Sequence, residues 1–124
     1  MSNTQSFKDM PLWQRSVELA IEICQVSAQL PNADKLILAA QLQEAALAIP
    51  TVLARGSKSG KQGFLAALAS ARQTAAELET LLVIMQNIYS GDAFVGLQDK
   101  IIELQSALVT MGQRLSENRP SKDV

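Results

Sequence analysis

Histidine is absent from the 124 residues of this chain, and cysteine occurs once, at position 24. Histidine is the commonest general base and the commonest ligand of transition metals, so its absence removes the usual form of both kinds of site. One cysteine cannot form a disulfide within the chain, and the place of Cys24 in an apolar stretch predicts a reduced, buried thiol. We therefore predict no catalytic residue, no metal ligand and no cofactor.

Aromatic residues are also scarce, at 4% of the chain, although 48% of its residues are apolar. A core must then be built from leucine, isoleucine, valine and alanine, which suit the close packing of helices. A chain of this length buries a real core without a metal or disulfides. Because no segment alternates with a period of two, a β-sheet is not expected. We predict one all-α domain over residues 1–124, with disordered tails at about 1–8 and 117–124.

Targeting signals are missing as well. The opening residues, MSNTQSFKDM, lack the apolar centre of a signal peptide. We also find no apolar run that approaches the length needed to span a bilayer. The expectation is a cytoplasmic protein without a membrane partner.

Four amphipathic helices are predicted from apolar residues at helical spacing. Three span about residues 12–30, 33–55 and 61–89, and the fourth follows the sequence Ser90, Gly91, Asp92. The third and fourth helices carry heptad seams. These seams are Phe64, Leu68, Ala71, Ala75, Leu78, Leu82 and Met85, then Phe94, Leu97, Ile101, Leu104, Leu108, Met111 and Leu115.

Short links between the helices force neighbours to run antiparallel, which predicts an up-down-up-down four-helix bundle. The alternative architecture is an α-hairpin pair that completes its core only in an oligomer. Within the second helix, Pro50 frees and crowds the carbonyl of Ala46, at about 3 kcal/mol against an ordinary residue. We predict a helix kink at Pro50. The kink either bends the helix around its neighbours or builds a binding surface on the freed carbonyl.

The second and third helices have more apolar surface than a lone bundle needs. This surplus predicts a structural or protein-interaction module that binds copies of itself. The residues we assign to this oligomer interface are Val52, Leu53, Leu65, Ala69, Ala76 and Val83. A small-molecule site between the helices ranks behind the other hypotheses, and its sign would be a deep apolar pocket with a few converging polar groups.

A basic stretch surrounds the link between the second and third helices. No acidic residue occurs between Ala45 and Ala76, so this stretch carries +4 and the rest of the chain −5, against −1 in total. Its basic residues are Arg55, Lys58, Lys61 and Arg72. They could attract nucleic acid or an acidic partner to one end of the bundle, or they could simply keep the turn solvated.

Several residues of the chain also match a known pattern. They are Phe7, Leu12, Trp13, Gln14, Glu18 and Leu19 near the start, then Gln41, Leu42, Ala45, Ala46, Ile49, Pro50, Gly56, Phe64, Glu77, Leu78 and Glu79. With these residues, about 7–115 of the chain resembles the bacterial four-helix bundle proteins that include the large-subunit ribosomal RNA intervening-sequence proteins.

The resemblance implies a four-helix bundle that often assembles as a homopentamer around a central channel. Related proteins include the accessory subunit of diversity-generating retroelements, which is basic and works with a reverse transcriptase and nucleic acid. Paired basic residues of the family's second helix fall on Gln43 and Glu44 here, and a following acid becomes Arg55. Fold and self-assembly are thus implied more strongly than binding to nucleic acid or to a nucleic-acid enzyme.

Overall fold

The computed structural model describes residues 6–30, 36–89 and 92–117, which form four α-helices after one turn of 3-10 helix. The 3-10 helix spans Phe7–Asp9, α1 spans Pro11–Ala28, and α2 spans Leu36–Gly56. Gly60–Tyr89 form α3, and Ala93–Glu117 form α4. Helices adjacent in sequence pack together and α4 returns to α1, so the predicted all-α, up-down-up-down bundle is confirmed.

All four helices contribute to one apolar core within a single chain. An α-hairpin pair that needs a partner to complete its core is therefore not the architecture. The helix α3 packs most extensively, against both α2 and α4, whereas the packing between α1 and α4 is the sparsest. Both heptad seams face the core: Leu68 to Met85 on α3 and Phe94 to Leu108 on α4 are buried at every seam position. Only their end residues, Phe64, Met111 and Leu115, are partly buried.

Helix α2 continues through Pro50, which is buried, and the hydroxyl of Thr51 donates to the carbonyl of Leu47 at 2.8 Å. The kink at Pro50 stays a prediction. By length and composition alone this helix could cross a membrane, since Ile37–Gly56 is an apolar stretch of 20 residues. The expectation that no apolar run reaches such a length was wrong. In the bundle, α2 instead buries one face in the core, with the residues Ala39, Leu42, Ala45, Ala46, Ile49 and Leu53.

A tight turn joins α2 to α3. Gly60 begins α3 with φ of 75°, a left-handed conformation that favours glycine. Gly56, at the end of α2, is buried where α3 passes, and a Cβ there would overlap the Cβ of Ala67. The absence of a side chain at Gly56 therefore sets how closely α2 and α3 approach.

The described structure reaches into both predicted tails. The hydroxyl of Ser6 accepts a hydrogen bond from the N–H of Lys8 at 3.1 Å and caps the 3-10 helix. At the other end, Glu117 is the last residue of α4. Residues 1–5 and 118–124 lie outside the described residues, as do Ser90 and Gly91 of the predicted link between the third and fourth helices.

Two glycine-to-alanine substitutions test the close approach of α2 and α3. We expect Gly56→Ala to destabilise the fold by about 1–3 kcal/mol, because the new methyl group meets Ala67. Gly96→Ala is the matched control, since Gly96 lies exposed within α4 with no atom near its Cβ position. The control should gain about 0.5–1 kcal/mol from helix propensity. Urea unfolding followed by circular dichroism measures both, and equal stability of the two variants would contradict the close approach.

Candidate interaction surfaces

Three of the four predicted basic residues surround the α2–α3 turn. Arg55 and Lys58 are exposed, and Lys61 is half-buried in the first turn of α3. Arg72 is exposed too, but it lies 11 residues beyond Lys61, or about 16 Å along the helix. Its neighbours include Gly112 and other residues of the groove between α3 and α4. The structure therefore separates Arg72 from the basic turn.

The ammonium group of Lys58 lies over the ring of Phe7, 5.6 Å from its centroid. Phe7 in turn meets Trp13 edge to face, with ring centroids 5.2 Å apart. The side-chain amide of Gln14 donates to the carbonyl of Lys8 at 2.8 Å, which ties the 3-10 helix to α1. This aromatic cluster connects the N-terminal segment to the basic turn. Sequence reasoning missed it, because helical periodicity carries no signal for a contact between a loop lysine and a distant ring.

The two serines of the turn serve the backbone. The hydroxyl of Ser57 donates to the carbonyl of Ala54 at 2.7 Å, and that of Ser59 donates to the carbonyl of Arg55 at 3.1 Å. The carbonyl of Ala54 thereby gains a partner at the end of α2, and that of Arg55 also accepts a hydrogen bond from the N–H of Lys58 at 3.2 Å. Within residues 6–30, 36–89 and 92–117, no three cysteine or acidic side chains are placed to hold a metal ion.

One half of the bundle is basic and the other acidic. The half around the α2–α3 turn comprises residues 6–19, 48–74 and 105–117, and it carries seven basic and three acidic residues. The described remainder carries one basic residue, Lys100, and seven acidic ones. Arg15 of α1 and Arg114 of α4 belong to the basic half, and sequence reasoning did not group them with the turn. Only the antiparallel arrangement of the helices brings these three segments to the same end.

Helices α3 and α4 together present an apolar surface. Leu65, Ala69 and Arg72 line the groove on the α4 side of α3, and Ala76 and Val83 continue that side at seven-residue steps. Leu65 is half-buried, and the three others assigned to the interface here are exposed. Across the groove, α4 exposes a stripe that the sequence prediction missed: Val95, Ile102 and Val109. We call these two stripes, Leu65, Ala69, Ala76 and Val83 with Val95, Ile102 and Val109, the α3–α4 face.

Two predicted interface residues lie elsewhere. Leu53 is wholly buried in the core of its own chain, so its assignment to an oligomer interface was wrong. It follows Ile49 by one helical turn and belongs to the buried stripe of α2. Val52 is half-buried and lines the groove between α2 and α3, away from the α3–α4 face.

The groove between α1 and α4 is open and lined by charged side chains. Lys100 and Glu22 form an ion pair across it, with 2.6 Å between the ammonium nitrogen and a carboxylate oxygen, and both side chains are largely exposed. Such an exposed pair contributes little to stability. Arg15 and Glu103 lie along the same groove. This groove is a solvated, charged surface rather than the deep apolar pocket that a small-molecule site would require.

A double-mutant cycle tests the contact between Lys58 and Phe7. We expect Phe7→Ala and Lys58→Gln to show a coupling of about 0.5–1 kcal/mol, the range for exposed cation–π contacts. Urea unfolding followed by the fluorescence of Trp13, the single tryptophan, measures it. Arg55→Gln is the matched control, because it removes a charge from the same turn without touching Phe7. If Arg55→Gln couples to Phe7→Ala as strongly as Lys58→Gln does, the coupling arises from the charge of the turn in general and not from the contact of Lys58 with the ring.

Comparison with known proteins places this fold in a family. A family model described as 23S rRNA-intervening sequence protein matches residues 8–110, a range that begins in the 3-10 helix and reaches well into α4. No curated protein sequence gives a significant match. The matched family is not a known enzyme family. The relation to retroelement accessory proteins stays a prediction. Because the match covers most of its length, the chain belongs to the 23S rRNA-intervening sequence protein family.

Proposed function

We propose that this chain is a non-enzymatic module that assembles with copies of itself and acts through structural or protein contacts. The α3–α4 face is the observation that carries the proposal. Its larger side chains are exposed although the core of the chain is already complete, with Val83 at 42%, Val95 at 46%, Ile102 at 49% and Val109 at 37%. Scattered exposed apolar residues need no explanation, but two aligned stripes on neighbouring helices indicate an interaction surface.

The spacing within the face suits packing by another helical protein. Ala69, Ala76 and Val83 repeat every seven residues, as do Val95, Ile102 and Val109. A seven-residue repeat keeps each stripe on one side of its helix, the pattern of helices that pack along their length. Covering these half-exposed valine and isoleucine side chains would contribute about 3–6 kcal/mol, before the entropy lost on association. The family resemblance implies five subunits, and we propose a homopentamer on that ground alone.

Substitution at the centre of the α3–α4 face should prevent assembly. We expect Ile102→Glu to give a monomer of 13.4 kDa, because a carboxylate cannot be buried among apolar side chains without a partner. Ile102 suits this test better than Leu65, which also packs against the core of its own chain. Multi-angle light scattering measures the mass, and circular dichroism checks that the helices persist.

Ile84→Glu is the matched control for Ile102→Glu. Ile84 is similarly exposed, at 40%, and lies on the side of α3 that faces α2, two heptads beyond Ser70 of the α2–α3 groove. This control should keep the native mass. A wild-type mass of 13.4 kDa at micromolar concentration, or an unchanged mass in Ile102→Glu, would contradict the proposed self-assembly through this face.

A second function follows from the polarised charge of the bundle: we propose that assembled copies bind nucleic acid through the basic turn. Arg55 is exposed, and no ion pair involves it within the described part of the chain. The four basic residues of the 45–76 stretch give one copy only a modest counterion-release term. Several copies joined in one assembly would raise the apparent affinity through effective concentration.

Salt dependence distinguishes this second function from the first. Fluorescence anisotropy of labelled RNA and DNA measures the affinity. We expect binding to weaken by at least tenfold between 50 and 200 mM salt, because about two or more phosphate contacts in the whole assembly would release that many counterions. The double variant Arg55→Glu/Lys58→Glu should abolish it. Lys100→Glu, in the acidic half, is the control and should bind as the wild type does. Binding that ignores salt, or none at low salt, would leave self-assembly as the function.

A further inference from the structure

A second surface with exposed apolar side chains lies on the side of the bundle opposite the α3–α4 face. The side of α1 that faces α4 is lined by Arg15, Glu18 and Glu22. The side of α1 across the core from these residues faces α2. That other side carries Val17, Ile21, Cys24 and Ala28 at steps of three and four residues.

Helix α2 continues this surface. The side of α2 that faces α3 includes Val52 and Arg55. On the other side, which faces α1, helical geometry places Ala40, Gln43 and Leu47, again at steps of three and four residues. We call these three residues, together with Val17, Ile21, Cys24 and Ala28, the α1–α2 face. None of them is charged. At its centre, Ile21 is 52% exposed and Leu47 is 51% exposed.

The remaining two sides of the bundle contain the other two grooves. The α1–α4 groove contains the ion pair of Glu22 and Lys100, with Arg15 and Glu103 beside it. The α2–α3 groove contains Arg55 and Ser59 near the turn, and further along the same side Ile84 is 40% exposed. The α1–α2 face and the α3–α4 face therefore lie on opposite sides of the bundle. One copy cannot bring its own two apolar faces together.

We propose that copies of this chain join head to tail, with the α1–α2 face of one copy packed on the α3–α4 face of the next. The inference rests on the proposed self-assembly and specifies its contact. A two-fold pairing of α3–α4 faces would leave Ile21 and Leu47 in water in every copy. Head-to-tail contact covers both faces of each copy that has two neighbours, and it closes into a ring when the rotation between neighbours allows.

The faces are large enough for such a contact. The 18 residues of α1 make a face about 27 Å long, and two neighbouring helices make it about 20 Å wide. A contact of that size buries about 1,100 Å² over both partners, near the lower end of specific interfaces. Two charged side chains, Arg72 and Glu79, lie beside the α3–α4 face. Glu79 accepts a hydrogen bond from the amide of Gln105 at 3.0 Å, and the long stem of Arg72 lets its guanidinium reach the rim.

A mixing experiment tests the head-to-tail contact. Leu47→Glu blocks the α1–α2 face, and Ile102→Glu blocks the α3–α4 face, so each variant alone should be a monomer of 13.4 kDa. Mixed in equal amounts, they retain one intact face of each kind. We expect a heterodimer of twice the monomer mass and nothing larger, measured by light scattering on samples that circular dichroism shows to be helical.

The outcomes separate the contact from self-assembly itself. If Leu47→Glu keeps the wild-type mass while Ile102→Glu dissociates, the chain self-assembles but the α1–α2 face takes no part. A mixture that stays monomeric would also overturn the head-to-tail contact. If neither variant changes an oligomeric mass, or if the wild type is a monomer, the proposed self-assembly through the α3–α4 face fails together with the head-to-tail contact.

Cross-linking gives a second test that introduces no charge. Cys24 of the α1–α2 face is the single native cysteine and is half-buried. In the variant Ile102→Cys, each copy carries one thiol on each face, and a short bismaleimide should produce a ladder that extends beyond the dimer. Adding Cys24→Ser should remove every cross-linked band. Dimers that persist without Cys24 would show a two-fold contact between α3–α4 faces and overturn the head-to-tail arrangement.

Discussion

Close packing between helices that lack large side chains is the constraint on which this structure depends. The buried positions of α3 include Ala67, Ala71 and Ala75, and Gly56 of α2 presents no side chain where α3 passes. These small residues let neighbouring helices approach α3 closely, which suits a core with few aromatic rings. A narrow core also has a consequence for the surface. Branched side chains that flank the buried stripes, such as Val83 and Ile102, fall outside it and remain in water.

The sequence predicted the parts of the fold that follow from periodicity. The seams of α3 and α4 repeat every seven residues, and the structure buries them almost throughout. Leu53 was assigned to the surface although it continues the buried series of Leu42 and Ile49, so closer attention to that spacing would have placed it in the core. The exposed stripe of α4 carries the same repeat as its seam, displaced by one residue from Phe94 to Val95. The contact of Lys58 with Phe7 had no such signal, because it joins segments whose proximity arises only from the folded topology.

Charge shows what topology adds to sequence. The chain contains a basic stretch, yet the basic half of the bundle also takes residues from its beginning and its end. Antiparallel helices place the start of α1, the α2–α3 turn and the end of α4 together, so Arg15 and Arg114 join Arg55 there. A net charge of −1 therefore conceals a polarised molecule, with +4 in one described half and −6 in the other. Such separation determines the local potential more than the total does.

The separation of charge and the two apolar faces are oriented at right angles to each other. The faces lie on the sides of the bundle, whereas the charges separate along its axis. In a cyclic assembly built through the sides, every copy points the same way along the symmetry axis, since rotation about that axis does not invert it. All the basic turns then lie at one end of the ring and all the acidic halves at the other. A two-fold contact whose axis is perpendicular to the bundle axis would instead place basic and acidic ends side by side and cancel the polarity. The way in which copies join therefore decides whether Arg55 and Lys58 act as isolated charges or as one extended basic surface.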